Sequence, residues 1–547
     1  MKSVSDLISN PTHVAISAST AVAVSLLLSL LLNHSKSTKT LQSRKVPPMP
    51  STTLPILKNL LDIHHSVDRF HDWVYEQAKA FDFRPWMYHI PGRPETIVLT
   101  SPDSIEDVLS TQGAIFLRGP MGQYLSYDLF GKGLIIADGE QWHYHRKIAS
   151  HLFTMQRTKD IMETIVVEKL HVLLDVLATY RARHEPFSLK TEFHHFSMDI
   201  ITKIGLGVEL HTLRDSPTRD SDHEFLEAFD SAAIGFAVRV QTPTSIWRLQ
   251  RFLNFGKEKT FRNDIATLHN FINQVIRESM EKKAQRAAMN QKLVEKDLIS
   301  LFLESNLPAP ENVKKHDDDL VTTMRDMVTT FVFAGKDAVA HSMCWFIIMM
   351  NRYPKILRKI RDEMQQNVPG LLTGAIRVAK AEHVRHLVYL EAAIKENLRL
   401  TPSTGFLARE CMQDTTLRDG TFIQKGQTIM VSSYCNGRNP ITWGHDALAF
   451  QPERMIDPHT KKLRVFSPFA FSTFGAGQHV CLGLRFAMME MKMTLATLLS
   501  KFDVTTVDDP WLLTYEFSIM FPVKGPLNVT LTPVAGLTTT SGKENDL

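Results

Sequence analysis

The fold of this 547-residue chain is decided by one stretch, Phe474-Gly-Ala-Gly477-Gln-His479-Val-Cys481-Leu-Gly483. Its glycines let the backbone turn sharply and approach a neighbouring atom with no side chain in the way. The residues that follow, Leu484–Leu499, are predicted to form a helix, whose positive N-terminal end would stabilise an anion in front of it. The stretch therefore favours a cysteine stabilised as a thiolate, and the alternative is an inert buried cysteine in a Gly-rich turn.

The composition is that of an ordinary globular protein, with 44% hydrophobic and 22% charged residues. The length alone favours several domains, because single hydrophobic cores usually stop growing near ~250–300 residues. A formal net charge of +4 without a dense Lys/Arg run gives no indication of nucleic acid as a partner. Four cysteines, none of them in a C-x-x-C pair, favour a reducing compartment and indicate neither a disulfide framework nor a zinc site.

A membrane anchor is predicted near the N-terminus. Val14–Leu32 contains no charged residue over 19 positions, and at ~1.5 Å per residue it nearly spans a hydrocarbon core of ~30 Å. Lys36, Lys39, Arg44 and Lys45 follow it, with no acidic residue before Asp62, so the positive-inside rule places the bulk of the chain in the cytosol. A cleaved signal peptide is the alternative, but only one basic residue precedes the apolar run.

The chain is accordingly divided into five segments. We expect a short lumenal N-terminus at 1–12, a transmembrane anchor at 13–33 and a basic, Pro-rich linker at 34–50. A catalytic domain is predicted at 51–535 and a disordered tail rich in Thr, Ser and Gly at 536–547.

Helical patterns dominate the domain, and the short strand candidates do not alternate with them regularly, so a doubly wound parallel sheet is disfavoured. The predicted helices are Asp160–Tyr180, Phe196–Gly205, Asp264–Ala288, Asp318–Tyr353 and Val388–Leu400. The strand candidates include Glu95–Leu99, Thr421–Val431 and Gly525–Thr532. The dinucleotide-binding pattern G-x-G-x-x-G is incomplete here, since Gly205-Leu-Gly207 is followed by Leu210 where a third glycine is needed.

Further motifs gain meaning from their order along the chain. Trp142-His-Tyr-His-Arg146 precedes Glu396-Asn-Leu-Arg399, an i, i+3 pair on one helical face, and Pro452-Glu-Arg454 follows before Cys481. An isolated pair of that spacing is usually a solvated salt bridge. In this order the motifs resemble those of the cytochrome P450 superfamily, with His479 where the family usually has arginine.

The resemblance implies one mainly α-helical domain with a small β region, the cytochrome P450 fold, instead of several domains. It implies haem b as cofactor, with Cys481 as the ligand of the iron. The residues that match the family's haem-binding positions are Trp142, Arg146, Arg409, Phe474, Gly477, His479, Cys481 and Gly483. The residues that match its structural triad are Glu396, Arg399 and Arg454.

One departure concerns the helix expected over the haem. Ala334-Gly-Lys-Asp337 resembles the family's opening A-G-x-D, and the resemblance makes Asp337 and the next residue the catalytic candidates. That next residue is Ala338, where the family usually has a threonine that helps to deliver protons during dioxygen activation. A tolerated substitution, with ordered water in the gap, and an altered proton supply are both open.

The resemblance extends to the branch that hydroxylates fatty acids and alkanes in plants, fungi and microbial eukaryotes. The stretches that carry it include Trp443–Arg454, Phe229-Asp-Ser-Ala232 and Arg251–Glu258. It implies ω or near-ω hydroxylation of long-chain fatty acids, in a substrate pocket formed by Phe333, Ala334, Phe406, Leu407, Met520 and Phe521.

The same resemblance implies O₂ as co-substrate and electrons from NADPH through a separate NADPH-cytochrome P450 reductase. It also implies a hydrophobic small-molecule substrate and a single-pass protein of the endoplasmic reticulum membrane with its catalytic domain in the cytosol. Two alternatives stay open: a haem enzyme that rearranges oxidised lipids without dioxygen, which the absence of threonine at Ala338 allows, and a non-catalytic haem-binding protein.

Overall fold

The computed structural model describes residues 45–213, 224–289, 297–304 and 317–534. The expected lumenal segment 1–12, the anchor at 13–33 and the tail at 536–547 lie outside these residues. The end of the expected linker is described, and it packs on the domain, since Met87 N–H donates to the Pro48 carbonyl at 2.9 Å.

Helices account for most of the described chain, as the resemblance implies. In the first half they are α1 Leu60–His65, α2 Phe70–Ala80, α3 Pro102–Glu106, α4 Gly119–Phe130, α5 Gly139–Leu152, α6 Met155–Ile161, α7 Val167–Arg183, α8 Leu189–Leu206, α9 Glu224–Gln241 and α10 Thr244–Phe252. In the second half they are α11 Gly256–Ala288, α12 Leu298–Glu304, α13 Asp317–Arg352, α14 Pro354–Asn367, α15 Pro369–Thr373, α16 Ala381–Val384, α17 Val388–Leu400, α18 Ser433–Asn436, α19 Pro440–Trp443 and α20 Leu484–Lys501.

The strands are short and form three small sheets. They are β1 Trp86–Tyr88, β2 Thr96–Leu99, β3 Phe116–Leu117, β4 Phe187–Ser188, β5 Leu407–Cys411, β6 Thr415–Thr416, β7 Phe422–Ile423, β8 Thr428–Val431, β9 Phe502–Thr506 and β10 Asn528–Pro533. The largest sheet has the order β1-β2-β8-β5-β3, in which β2 and β8 are parallel and the other pairs are antiparallel. The mainly helical fold with a small β region is therefore confirmed.

The sequence located most helices correctly but misjudged some boundaries. The predicted helix at Val388–Leu400 matches α17 at both ends. Helix α8 begins seven residues before the predicted Phe196, because the Ser188 side chain accepts a hydrogen bond from Thr191 N–H and caps it. The predicted single strand Thr421–Val431 is wrong, since Gly426 adopts a φ of +87° and separates β7 from β8.

Helix α13 is the centre of the domain and packs against α8, α11, α17 and α20. Within the described part of the chain, Leu320–Arg352 of this helix is also the one segment that is long and apolar enough to cross a membrane. Since 78% of its most apolar window is buried inside the protein, α13 is a core helix.

Candidate active site

The Gly-rich loop that ends at Cys481 adopts a conformation that requires glycine. Gly475 and Gly477 have φ values of +69° and +66°. A Cβ atom at Gly477 would lie 1.9 Å from the carbonyl oxygen of Leu109, so the loop passes the neighbouring backbone without room for a side chain. The Cys481 N–H donates to the Phe474 carbonyl at 2.8 Å and closes the turn immediately before α20.

Cys481 lies against an internal cavity of about 310 Å³. The residue is exposed, and its exposed surface belongs to the wall of this cavity. The wall also comes from α5, α8, α13, β5 and α20. It contains eleven of the residues that the sequence singled out: Trp142, Arg146, Ala334, Ala338, Leu407, Arg409, Phe474, His479, Cys481, Gly483 and Met520.

The surroundings of the Cys481 sulfur suit a bound metal ion. Burial raises the pKa of the thiol, whereas the Gly483 N–H and the positive charge of Arg146 act in the opposite direction. A bound transition-metal ion would remove the thiol proton outright, because the coordinated form of a cysteine is the thiolate. The loop therefore fits the role of ligand for a haem iron.

Two arginines line the cavity beside this loop, and the nearby acidic side chains do not balance their positive charges. Burial and the charge of Arg118 hold the pKa of Arg409 well below its ordinary value. Burial lowers the pKa of Arg118 to about 10, although Asp138 opposes the shift. The Arg118 Nε has no hydrogen-bond partner among the described residues. This orphaned donor and the uncompensated cations fit the two propionate groups of a haem.

Sequence reasoning missed Arg118. It follows β3 directly and precedes Gly119, whose φ of +73° turns the chain into α4. A lone arginine between a two-residue strand and a glycine matches none of the motifs that the resemblance supplied. The available signal was weak: an isolated cation in an otherwise apolar segment, Ile115–Leu117.

His479 replaces the arginine of the family pattern and contacts Trp142, with ring centroids 4.2 Å apart. Burial, supported by the positive charges of Arg409 and Arg118, lowers the pKa of His479 to about 3. In these surroundings the imidazole is neutral at physiological pH. It offers a hydrogen bond at this edge of the cavity where an arginine would offer a full charge.

Glu396, Arg399 and Arg454 meet in a cluster in which the Glu396 and Arg399 side chains are completely buried. Arg399 donates from Nη2 and Nε to the two carboxylate oxygens of Glu396 at 2.7 and 2.8 Å. The Nε of Arg454 approaches the same carboxylate at 3.3 Å. Arg399 also donates to the carbonyls of Ala447 and Ala449, so α17 holds the segment that leads toward the loop.

The two catalytic candidates of α13 are not equivalent in position. Ala338 lines the cavity, and its carbonyl accepts a hydrogen bond from Ser342 Oγ at 2.7 Å. The Asp337 carboxylate contacts Lys336 Nζ at 2.7 Å and His194 Nδ1 at 3.1 Å, outside the described cavity wall. Burial disfavours the charge of Asp337, but Lys336, His194 and His341 together outweigh it and hold the pKa of Asp337 well below its ordinary range.

Three of the expected pocket residues lie away from the cavity wall in the part of the chain that the structure describes. Phe333 packs its ring on Phe130, at a centroid distance of 4.8 Å, because its position on α13 is turned away from the face of Ala334 and Ala338. Phe406 and Phe521 belong to aromatic clusters around His71 and Tyr515.

Other apolar residues complete the cavity wall in their place. The cavity wall includes Leu134, Ile135, Phe153, Ile201, Ile204, Met327 and Phe331. They come from four separate parts of the chain, which no single periodic pattern connects. A buried acid, Glu490 of α20, also belongs to the wall, and burial raises its pKa to about 8.

Comparisons with known proteins agree with this geometry. The cytochrome P450 family profile matches residues 47–527. The chain is 32% identical to cytochrome P450 CYP94D109 of Paris polyphylla, over 80% of this chain and 85% of that protein. It is 28% identical to cytochrome P450 94B1 of Arabidopsis thaliana, over 88% and 91% of the two chains. It is 24% identical to cytochrome P450 94A1 of Vicia sativa, over 82% and 84%.

Proposed function

Because the chain belongs to the cytochrome P450 family of haem-thiolate monooxygenases, we propose that it hydroxylates long-chain fatty acids at or near the ω carbon. The family uses haem b, dioxygen and electrons supplied by a redox partner. The observation that carries the substrate class is the wall of the cavity that contains Cys481, to which α8 and α13 contribute mostly aliphatic and aromatic side chains. The sequence stretches that resemble fatty-acid hydroxylases support the same class.

Cys481 is proposed as the ligand of the haem iron, with Arg118, Arg146, Arg409 and His479 around the propionates. When bound, the haem supplies the activation of dioxygen and the insertion of one oxygen atom into a C–H bond. The small side chains of Ala334 and Ala338, one turn apart in the cavity wall, would leave room for an alkyl chain beside a bound haem. The apolar wall excludes bulk water from the reacting carbon and holds that carbon in place.

The Cys481→Ser variant tests the ligand assignment. The reduced, CO-bound protein is expected to show the long-wavelength absorption band of thiolate-ligated haem. The variant should lose this band, because serine cannot supply the thiolate. A wild-type band in the variant would remove Cys481 from this role.

Purified protein should be incubated with C12–C18 fatty acids, NADPH and NADPH-cytochrome P450 reductase, and the products located by mass spectrometry. We expect NADPH-dependent dioxygen uptake and hydroxylation at terminal or near-terminal carbons. Conversion of an oxidised lipid without dioxygen or reductase would favour the rearranging enzyme instead. Tight haem binding without turnover of any lipid would favour a non-catalytic haem protein.

The endoplasmic reticulum membrane is the proposed location, with the domain in the cytosol next to the reductase. The uncharged run at 14–32 and the basic residues that follow it support this orientation. A hydrophobic substrate that partitions into lipid is consistent with the same placement.

A further inference from the structure

A cluster of side chains that can ligate a metal ion lies where α8 packs against α13, outside the wall of the cavity at Cys481. It contains His194 of α8 together with Asp337 and His341 of α13. One ligand atom from each of these three side chains lies within 4.8 Å of the others. In the part of the chain that the structure describes, no other group of three His, Cys, Asp or Glu side chains comes close enough to hold an ion. The activity proposed above does not use the two histidines.

The spacing of the three side chains follows from the helices that carry them. Asp337 and His341 are four residues apart, so they project from the same face of α13. His194 meets both of them from α8: its Nε2 lies 3.3 Å from His341 Nδ1, and its Nδ1 lies 3.1 Å from Asp337 Oδ1. Two ligands that each bind Zn²⁺ at ~2.0–2.1 Å in a tetrahedral site are ~3.3 Å apart. The two imidazoles are therefore separated as zinc ligands are.

The donor set and its protonation also suit a metal ion. Two imidazoles and one carboxylate are ligands that divalent transition metals bind, provided that the imidazoles are neutral and the carboxylate is ionised. Burial, with a smaller contribution from His194, holds the pKa of His341 well below its ordinary value, so this imidazole is neutral. Asp337 is ionised, because its pKa is also held low. These two ligands have no proton to lose when an ion binds.

Lys336 is the cation that an incoming metal ion would meet. Its Nζ donates to Asp337 Oδ1 at 2.7 Å and lies 3.4 Å from His194 Nδ1. The same ammonium group also binds Asp230 of α9. Because Lys336 is shared between two carboxylates, it can release Asp337 and keep Asp230 as its partner. A metal ion therefore competes with Lys336 for one carboxylate and leaves the lysine paired with the other.

The cluster is accessible from one side. The side chains of His194 and Asp337 are 15% and 11% exposed, and that of Asp230, beyond Lys336, is 50% exposed. His341 is buried and forms the inner end of the cluster. An ion can thus approach along His194 and Asp337 and complete its coordination at His341.

We propose that His194, Asp337 and His341 form a binding site for a divalent transition-metal ion, and that Zn²⁺ is the ion that their donor atoms and spacing fit. A water molecule takes the fourth position of the tetrahedral ion. The bound ion joins α8 to α13 and replaces Lys336 as the partner of the Asp337 carboxylate. This site is separate from Cys481 and does not depend on the proposed function.

The test uses the full-length haem-loaded protein, treated with a chelator, and ZnCl₂ as the only added metal. Equilibrium dialysis with metal analysis gives the zinc bound per chain and its Kd. We expect one zinc per chain, and His194→Gln and His341→Gln should each raise the Kd at least about tenfold, because each removes a ligand. The control is His383→Gln on α16, a histidine whose Nε2 lies 3.7 Å from Glu382 Oε1 outside the cluster, which should leave the Kd unchanged.

Lys336→Met distinguishes a metal site from a cluster that only supports packing. Without the competing ammonium group, the Kd for zinc should fall at least about tenfold, whereas a packing role predicts no gain in zinc affinity. Thermal unfolding supplies a second measurement: ZnCl₂ should raise the Tm of the parent and not that of His194→Gln, because a ligand of the folded state stabilises that state. The site is overturned if the parent binds no stoichiometric zinc, if the two histidine variants bind zinc as the parent does, or if Lys336→Met leaves the affinity unchanged.

Discussion

Ala338 presents a methyl group to the cavity where the family pattern has a hydroxyl group. A threonine at this position could donate to the Ala334 carbonyl one turn earlier and could share its hydroxyl with a water in the cavity. We expect Ala338→Thr to increase the amount of hydroxylated product per NADPH consumed and to decrease peroxide release. Product and peroxide should be measured together with an unfunctionalised fatty acid.

The control for Ala338→Thr is Ala338→Val, which adds similar volume without a hydroxyl group. If both variants change product yield equally, the effect is one of cavity shape. If yield per NADPH is already high in the parent and threonine leaves it unchanged or lower, Ala338 is a tolerated substitution.

Glu490 is a second residue in the cavity wall, and its burial there changes the pH at which its carboxyl group loses its proton. Its carboxyl is buried, one oxygen has no hydrogen-bond partner among the described residues, and burial raises its pKa from 4.5 to about 8. Between these two values the folded protein holds a proton that the unfolded chain has lost. Stability is therefore lost as the pH rises from 4.5 to about 8, where the penalty becomes complete.

Glu490→Gln removes this penalty, because the amide is neutral at every pH. Thermal unfolding at a fixed scan rate should give the variant a Tm at least ~2 °C above that of the parent at pH 8, and a smaller difference at pH 5. A stability difference that does not vary with pH would show that Glu490 is not protonated in the folded protein.

At the scale of elements, helix α17 stabilises the approach to the Gly-rich loop through Arg399. This side chain is completely buried and binds Glu396 as well as the carbonyls of Gly437, Ala447 and Ala449. Arg399→Lys keeps the charge but cannot reproduce the planar set of donors. We expect it to cost ~3–5 kcal/mol of stability and most of the bound haem, as measured by urea unfolding and haem absorbance.

The matched control is Arg377→Lys, in an ion pair with Asp175 in which both side chains are more than half exposed. Exposed pairs contribute ~0–1 kcal/mol, so this variant should keep its haem and nearly all of its stability. Equal losses in the two variants would mean that the burial of Arg399 does not determine its contribution.

The elements also show where sequence reasoning stops. The period of α17 and Pro402 just after its end fix that helix, and its i, i+3 ion pair follows from the spacing. The direction of Phe333 did not follow, because a buried helix is apolar on all sides and its sequence does not mark which face meets the cavity. Arg118 was missed for a related reason, since its partners come from β5 and the loop before α5 and are distant in sequence.

At the scale of the whole molecule, length and composition predicted several domains, and the motifs corrected this to one. Helix α13 explains why one core can be this large: it runs through the centre and packs against helices from both halves of the chain. Three motifs in order were sufficient for the fold. The shape of the cavity was not predictable, because it arises where side chains from five distant elements fail to meet.

The expected anchor at 13–33 belongs to this scale as well. Deleting residues 1–33 should leave a haem-loaded domain whose association with membranes is much weaker, as measured by flotation with lipid vesicles. Some binding should remain, because exposed apolar residues such as Phe252 and Leu512 can touch lipid. Unchanged flotation of the shortened protein would contradict the anchor assignment.

The parallel pairing of β2 with β8 has a consequence for synthesis of the protein. Thr96 is paired with Thr428, so β2 leaves the ribosome 332 residues before its partner is made. At ~5–20 residues per second the nascent chain waits roughly 20 seconds to a minute with this strand edge open. The main sheet is thus completed only after residue 431 of 547 has been made, and until then the open edge of β2 is available for pairing with other chains.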